Sequence, residues 1–250
     1  MTTDHPQPAA GLARRRRVIA AAGITGTGLL GLALSRRPGS RQFYLLTLGV
    51  AATWTVGAVR SRPDPPVRAR RPSDVTGRAI IVPVLTGAGA FGLTYGAALA
   101  TRRIPVLDRA VRDVLRFADG GVTPLLVLTT GANAIAEELF FRGALFSAMC
   151  ESRPVIASTI AYAAATSATR NPALVLAGAT LGALLGLQRR ASGGVAAPAV
   201  THLTWSLLTL WFLPRLTCKP APRRAAEADE ATAAAERENC RTAREAPPGQ

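Results

Sequence analysis

Seven apolar runs dominate the sequence and leave few architectures open to it. They are Val18–Leu34, Phe43–Val59, Ala79–Ala100, Val122–Met149, Val155–Ala168, Ala173–Leu187 and Val195–Leu213. A helix needs about 20 predominantly apolar residues to cross the hydrocarbon core of a bilayer. Two of the runs, Val155–Ala168 and Ala173–Leu187, are short for this. The runs are continuous rather than alternating, which speaks against a β-barrel. The expectation is an all-α, polytopic helical membrane protein with about seven transmembrane helices.

Charge enters the argument through its placement. The formal net charge is +15, and Lys219 is the single lysine. A balance like this is a common mark of nucleic-acid binding. Here the arginines fall in the short segments between apolar blocks, as in Arg14–Arg17 and Arg60–Arg78, where they anchor helix ends at a membrane surface. The expected partner is therefore the lipid bilayer and no nucleic acid. The expected location is an integral position in a bacterial cytoplasmic membrane. Cys150, Cys218 and Cys240 show no CxxC spacing, so neither a disulfide framework nor a zinc knuckle is indicated.

Taken in order, residues 1–17 read as a polar, basic leader. Residues 18–118 hold three apolar spans and an amphipathic segment. In that segment Ile104, Leu107, Val111, Val114, Leu115 and Ala118 share one helical face, with Asp108, Arg109, Arg112, Asp113 and Arg116 opposite. It reads as an interfacial helix or a helical loop packed on the bundle. Gly92 and Gly96, and then Gly178, Gly182 and Gly186, stand four apart, a spacing that lets helices approach closely. Residues 119–213 hold the last four spans. Residues 214–250 read as a charged, disordered tail.

Polar groups inside the fourth span are the candidates for chemistry. Glu137, Glu138 and Arg142 lie in the run Val122–Met149. Each ionisable group at the bilayer centre costs about 2.5–3.5 kcal/mol on insertion scales. Such groups persist where they pair, face a protein-lined cavity or do chemistry. Glu138 and Arg142 are four apart and can pair on one helical face. Asn133 lies one turn before Glu137 and points the same way. Glu137 is left without a local cation, which suits a general base or acid. The plain alternative is a buried ion pair that fixes helix packing. His202 and Ser206, four apart in the last span, complete the set. A proton or substrate pathway built on Glu137, Glu138 and His202 is a third reading, without the inverted repeat that would favour it.

The run Glu137-Glu138-Leu139-Phe140-Phe141-Arg142-Gly143 resembles the first signature of the CPBP family. These are the CAAX proteases and bacteriocin-processing enzymes, the type II CAAX prenyl endopeptidase group of intramembrane proteases. That signature is two glutamates, three residues, then arginine. A later aromatic–x3–His signature appears as Tyr162-Ala163-Ala164-Ala165-Thr166, with Thr166 at the His position. The final His–x3–Asn signature appears as His202-Leu203-Thr204-Trp205-Ser206, with Ser206 at the Asn position. The resemblance implies a four-helix CPBP-like core over residues 119–213.

It implies a membrane-embedded endopeptidase that hydrolyses a peptide bond of a membrane-associated protein or peptide. Glu137, Glu138, Arg142 and His202 would be its catalytic set. Glu137 would activate the water, Glu138 and Arg142 would position it or hold the helix, and His202 would hydrogen-bond the water or the oxyanion. Asn133, Tyr162, Thr166 and Ser206 would position water or substrate. Zinc is possible by the same resemblance, but a two-His site is absent. Thr166 keeps the alternative open: a degenerate membrane scaffold or immunity-type factor that binds without cutting.

Overall fold

The computed structural model describes residues 9–61, 77–118, 122–149 and 153–216. The expected tail from Thr217 onward, the start of the leader, most of the Arg60–Arg78 loop and Cys150 lie outside the described residues. The described residues form helices and no strand. In chain order these are α1 (Ala9–Leu34), α2 (Arg41–Arg60), α3 (Gly77–Thr101), α4 (Pro105–Leu115) and α5 (Pro124–Glu137). A π-helical stretch (Glu138–Leu145) and the short α6 (Phe146–Ala148) continue α5. The described residues end with α7 (Pro154–Ser167), α8 (Pro172–Ser192), α9 (Ala196–Phe212) and a 3-10 turn (Leu213–Leu216).

Every expected apolar run is helical. Five helices, α1, α2, α3, α8 and α9 with its terminal turn, are long and apolar enough to cross a membrane. The fourth run is an unbroken rod with a change of winding inside it. α7 has 14 residues, about 21 Å at 1.5 Å per residue, short of the ~30 Å hydrocarbon core. Large apolar side chains face outward along the bundle, among them Leu93 at 78% exposure and Ile24 at 76%. Such a surface is stable against lipid and not against water. The chain is an integral membrane protein.

The helix ends follow local chemistry. Ser40 and Thr123 accept from the amides of Phe43 and Leu126, both at 3.2 Å. Asn171 accepts from Ala173 and Leu174 at 3.0 and 3.1 Å. These caps satisfy first-turn amides that have no intrahelical partner. Pro105, Pro124, Pro154 and Pro172 open α4, α5, α7 and α8, where a missing N–H costs nothing. Gly193 ends α8 at φ 70°, a left-handed geometry that glycine adopts freely.

Small residues set how closely the helices lie. Cβ atoms built on Gly178, Gly182 and Gly186 would come within 2.7, 3.3 and 3.1 Å of Thr166, Tyr162 and Val155. The glycine ribbon of α8 therefore takes α7. Gly92 and Gly96 behave otherwise, since Cβ atoms there meet nothing within 4 Å. α3 instead approaches α9 at Gly87, against Thr201 and Thr204. The two helices run in the same direction: the Thr201 hydroxyl donates to Pro83 O at 3.0 Å, and the Trp205 indole donates to Thr94 at 2.9 Å.

α1 meets α2 where Gly26 lies on the buried indole of Trp54. A Cβ at Gly26 would overlap that ring. Gly26→Val is therefore expected to lower stability by about 1–3 kcal/mol, the usual cost of overpacking. Thermal unfolding in detergent, compared with Gly28→Val at a position with open space, checks this.

α4 lies packed on the bundle. Val111 and Leu115 join Tyr95, Ala98 and Leu213. The Asn171 amide donates to Ala110 O at 2.8 Å. The polar side carries the Asp108–Arg112 ion pair.

Candidate active site

The winding of the fourth span brings its polar residues to the centre of the bundle. Glu137 closes α5, and Glu138 to Leu145 are wound as a π-helix. π-stretches are rare and concentrate at functional sites. Two carbonyls of this stretch take arginine donors from other helices. Arg189 Nε donates to Arg142 O at 2.9 Å, and Arg15 Nη2 to Ala144 O at 3.3 Å. Aromatic rings hold the stretch on both sides. Phe140 stacks with Trp54 at 6.3 Å between centroids, and Phe141 meets Tyr162 edge-on at 5.0 Å.

Glu138 and Arg142 pair as their spacing predicts. Arg142 Nη1 donates to Glu138 Oε1 at 2.8 Å, and both side chains are fully buried. The second guanidinium nitrogen donates to Gly182 O at 3.2 Å. The guanidinium also lies 4.6 Å over the ring of Tyr162. His202 joins the pair from α9, its Nδ1 3.0 Å from the same Glu138 Oε1. A carboxylate can only accept, so Nδ1 carries the proton of this bond. That fixes the ring: Nε2 points the other way and lies 3.9 Å from Glu137 Oε2. The Tyr162 hydroxyl donates to that same Oε2 at 2.5 Å.

Glu137 has 14% of its side chain accessible, and what it faces is a cavity of about 300 Å³. Asn133, Glu137, Tyr162, Thr166, His202 and Ser206 all line it, along with Trp205. The rest of the wall is mostly apolar, including Val50, Leu126, Leu174, Leu181 and Leu210, with Thr47, Thr129, Thr130, Thr169 and Thr209 set among them. Toward the α4 end it reaches Val114, Leu115, Phe117 and Pro214. At ~30 Å³ per water the volume holds several waters or a short piece of substrate.

Six of the eight residues expected from the sequence thus meet around one space. Glu138 and Arg142 do not line it; they stand behind His202 and hold it. Asn133 is turned partly aside, its amide nitrogen donating to Thr47 O at 3.1 Å and Thr129 O at 2.8 Å. Thr166 donates to Ala163 O of its own helix at 2.9 Å. Sequence reasoning missed Gly182, whose carbonyl receives Arg142, and Arg189 and Arg15, which take the π-stretch carbonyls. The glycine spacing signalled a close helix approach but not that the approach delivers a carbonyl.

A structural or catalytic zinc takes three or four protein ligands. Among the described residues no three of His, Cys, Asp or Glu stand close enough to hold a metal. His202 Nδ1 is committed to Glu138 and Glu138 to Arg142. Glu137 and His202 Nε2 are two facing donors, one short of the minimum. The donor set does not fit a zinc site.

Residues 119–208 match the family model described as Type II CAAX prenyl endopeptidase Rce1-like. The matched segment takes in α5, the π-stretch, α7, α8 and most of α9, the helices that carry Glu137, Tyr162 and His202. The resemblance read from Glu137–Gly143 holds over these helices. No curated protein and no solved structure matches the chain.

Proposed function

We propose that the chain is an intramembrane endopeptidase in which Glu137 is the general base, taking the family match over residues 119–208 as premise. The observation that carries the reading is the pair of facing acceptors at the cavity wall. Glu137 Oε2 and His202 Nε2 are 3.9 Å apart. With the ring proton held on Nδ1 by Glu138, both present lone pairs in the neutral imidazole. A water between them donates one hydrogen to each and keeps a lone pair for attack.

The chemistry follows without a metal. The water oxygen bonds to the peptide carbonyl carbon as its O–H bond breaks and the proton passes to Glu137. The carbonyl oxygen becomes an oxyanion, and the Ser206 hydroxyl, one turn beyond His202 on the same wall, is the nearby donor for it. The C–N bond then breaks and Glu137 returns the proton to the leaving nitrogen. Glu138 and Arg142 act as positioning residues through His202. Burial in an apolar wall strengthens each of these interactions relative to water. The substrate class is a membrane-associated protein or peptide that reaches the cavity from within the bilayer or at its surface.

The test compares new protein N-termini in membranes of cells lacking the native copy and supplied with either the wild-type chain or Glu137→Gln at matched levels. Products that appear with wild type and disappear with the variant are expected. Equal sets of N-termini, with both chains folded and inserted, would overturn the reading and favour a non-catalytic membrane scaffold. Thr166 is the observation on that side, since its hydroxyl bonds its own helix rather than Glu137.

A further inference from the structure

α7 reaches Glu137 not through Thr166 but through the residue four positions earlier. Tyr162 and Thr166 both line the cavity from α7, one turn apart. The Thr166 hydroxyl is spent on Ala163 O at 2.9 Å, and its side chain is pressed on Gly178. The Tyr162 hydroxyl instead crosses to α5 and donates to Glu137 Oε2. Its ring cannot swing away. It is 6% exposed, meets Phe141 edge-on, lies under the Arg142 guanidinium and sits against Gly182. A rigid ring places the hydroxyl with little freedom left to lose.

We infer that Tyr162 is the positioning residue for the general base. It supplies from the preceding helical turn the hydrogen bond to Glu137 that Thr166 does not make. The inference rests on the reading of Glu137 as base and says how that base is held. Tyr162 keeps its own proton throughout: the water proton goes to Glu137 and then to the leaving nitrogen, while the phenol hydrogen stays on its oxygen. Its contribution is to pin one carboxylate oxygen so that the carboxylate presents a fixed acceptor beside His202 Nε2.

The test uses the full chain in lipid nanodiscs with a cleaved segment identified from wild-type membranes. Tyr162→Phe keeps the ring and its packing and removes the hydroxyl. It is expected to lower kcat by about tenfold to a hundredfold, the worth of a hydrogen bond to a charged group, with KM nearly unchanged.

Infrared difference spectra give a readout independent of turnover. The Glu137 carboxyl band, identified by its loss in Glu137→Gln, is expected to move in Tyr162→Phe. An unmoved band, or a Tyr162→Phe enzyme that cleaves as wild type does, overturns the inference while leaving the base reading standing. Wild-type cleavage that survives Glu137→Gln overturns the base reading itself, and the positioning role falls with it.

Discussion

Replacing Glu137 by glutamine is expected to lower kcat by about 10²–10⁴-fold, the usual contribution of a positioned general base, and to leave the fold intact. The amide is nearly isosteric with the carboxylate. Its carbonyl oxygen can still accept from the Tyr162 hydroxyl that now meets Glu137 at 2.5 Å. What it cannot do is take a proton from water. The side chain is partly open to the cavity and has no ion pair with an arginine among the described residues, so little packing depends on its charge. Single-turnover cleavage gives the chemical step, and thermal unfolding of the same preparations gives stability. A loss of rate with an unchanged transition assigns Glu137 to chemistry. A transition lowered by several degrees together with the rate would assign it to the fold instead.

The two glutamates differ in what the sequence revealed of them. The Glu138–Arg142 pair was legible because helical spacing alone decides it: residues four apart share a face whatever the rest of the chain does. The same holds for His202 and Ser206 on one side of α9. The apolar runs were legible because a bilayer selects for block composition, which survives any detail of packing. Contacts between helices follow other rules. Tyr162 and Glu137 are 25 residues apart, and their meeting depends on the rotation of α7 about its axis. That rotation is set by which residue of α7 each glycine of α8 receives.

The glycine spacings show the limit in both directions. Gly178, Gly182 and Gly186 do seat α7, but Gly92 and Gly96 have open space beside them. Four-residue spacing says that a close approach is possible, and only the partner surface says that it happens. The π-stretch has no sequence mark of its own. The run from Glu138 to Leu145 contains no proline, and its single glycine, Gly143, lies near its end. What stabilises the wider winding comes from elsewhere: Arg189 and Arg15 on its carbonyls, and Trp54 against Phe140. Asn133 was expected to accompany Glu137, and it does line the cavity, but Thr47 O on α2 draws its amide. A donor inside an apolar bundle must find an acceptor within reach, and Thr129 O one turn back shares it.

Arg142→Met is expected to be the most destabilising single change in the bundle, by about 3–5 kcal/mol, because it leaves a buried carboxylate without its cation. Glu138 and Arg142 are both 0% exposed, so water cannot take over the lost partner. The variant also removes the donor to Gly182 O, which ties the π-stretch to α8, and the cation over the ring of Tyr162. Met fills most of the volume, so the cost is electrostatic rather than a cavity. Glu138→Gln added to Arg142→Met removes the stranded charge and is expected to recover a large part of the stability. It recovers little of the activity, because the carboxylate that holds His202 at 3.0 Å becomes a neutral amide, a weaker acceptor. Chemical denaturation of the four proteins in micelles closes the double-mutant cycle. A coupling energy near zero would show that the pairing of Glu138 with Arg142 adds nothing to stability. A large coupling, with the doubly neutral protein folded but slow, would separate the two tasks: the pair holds His202 against the cavity, and Glu137 does the work inside it.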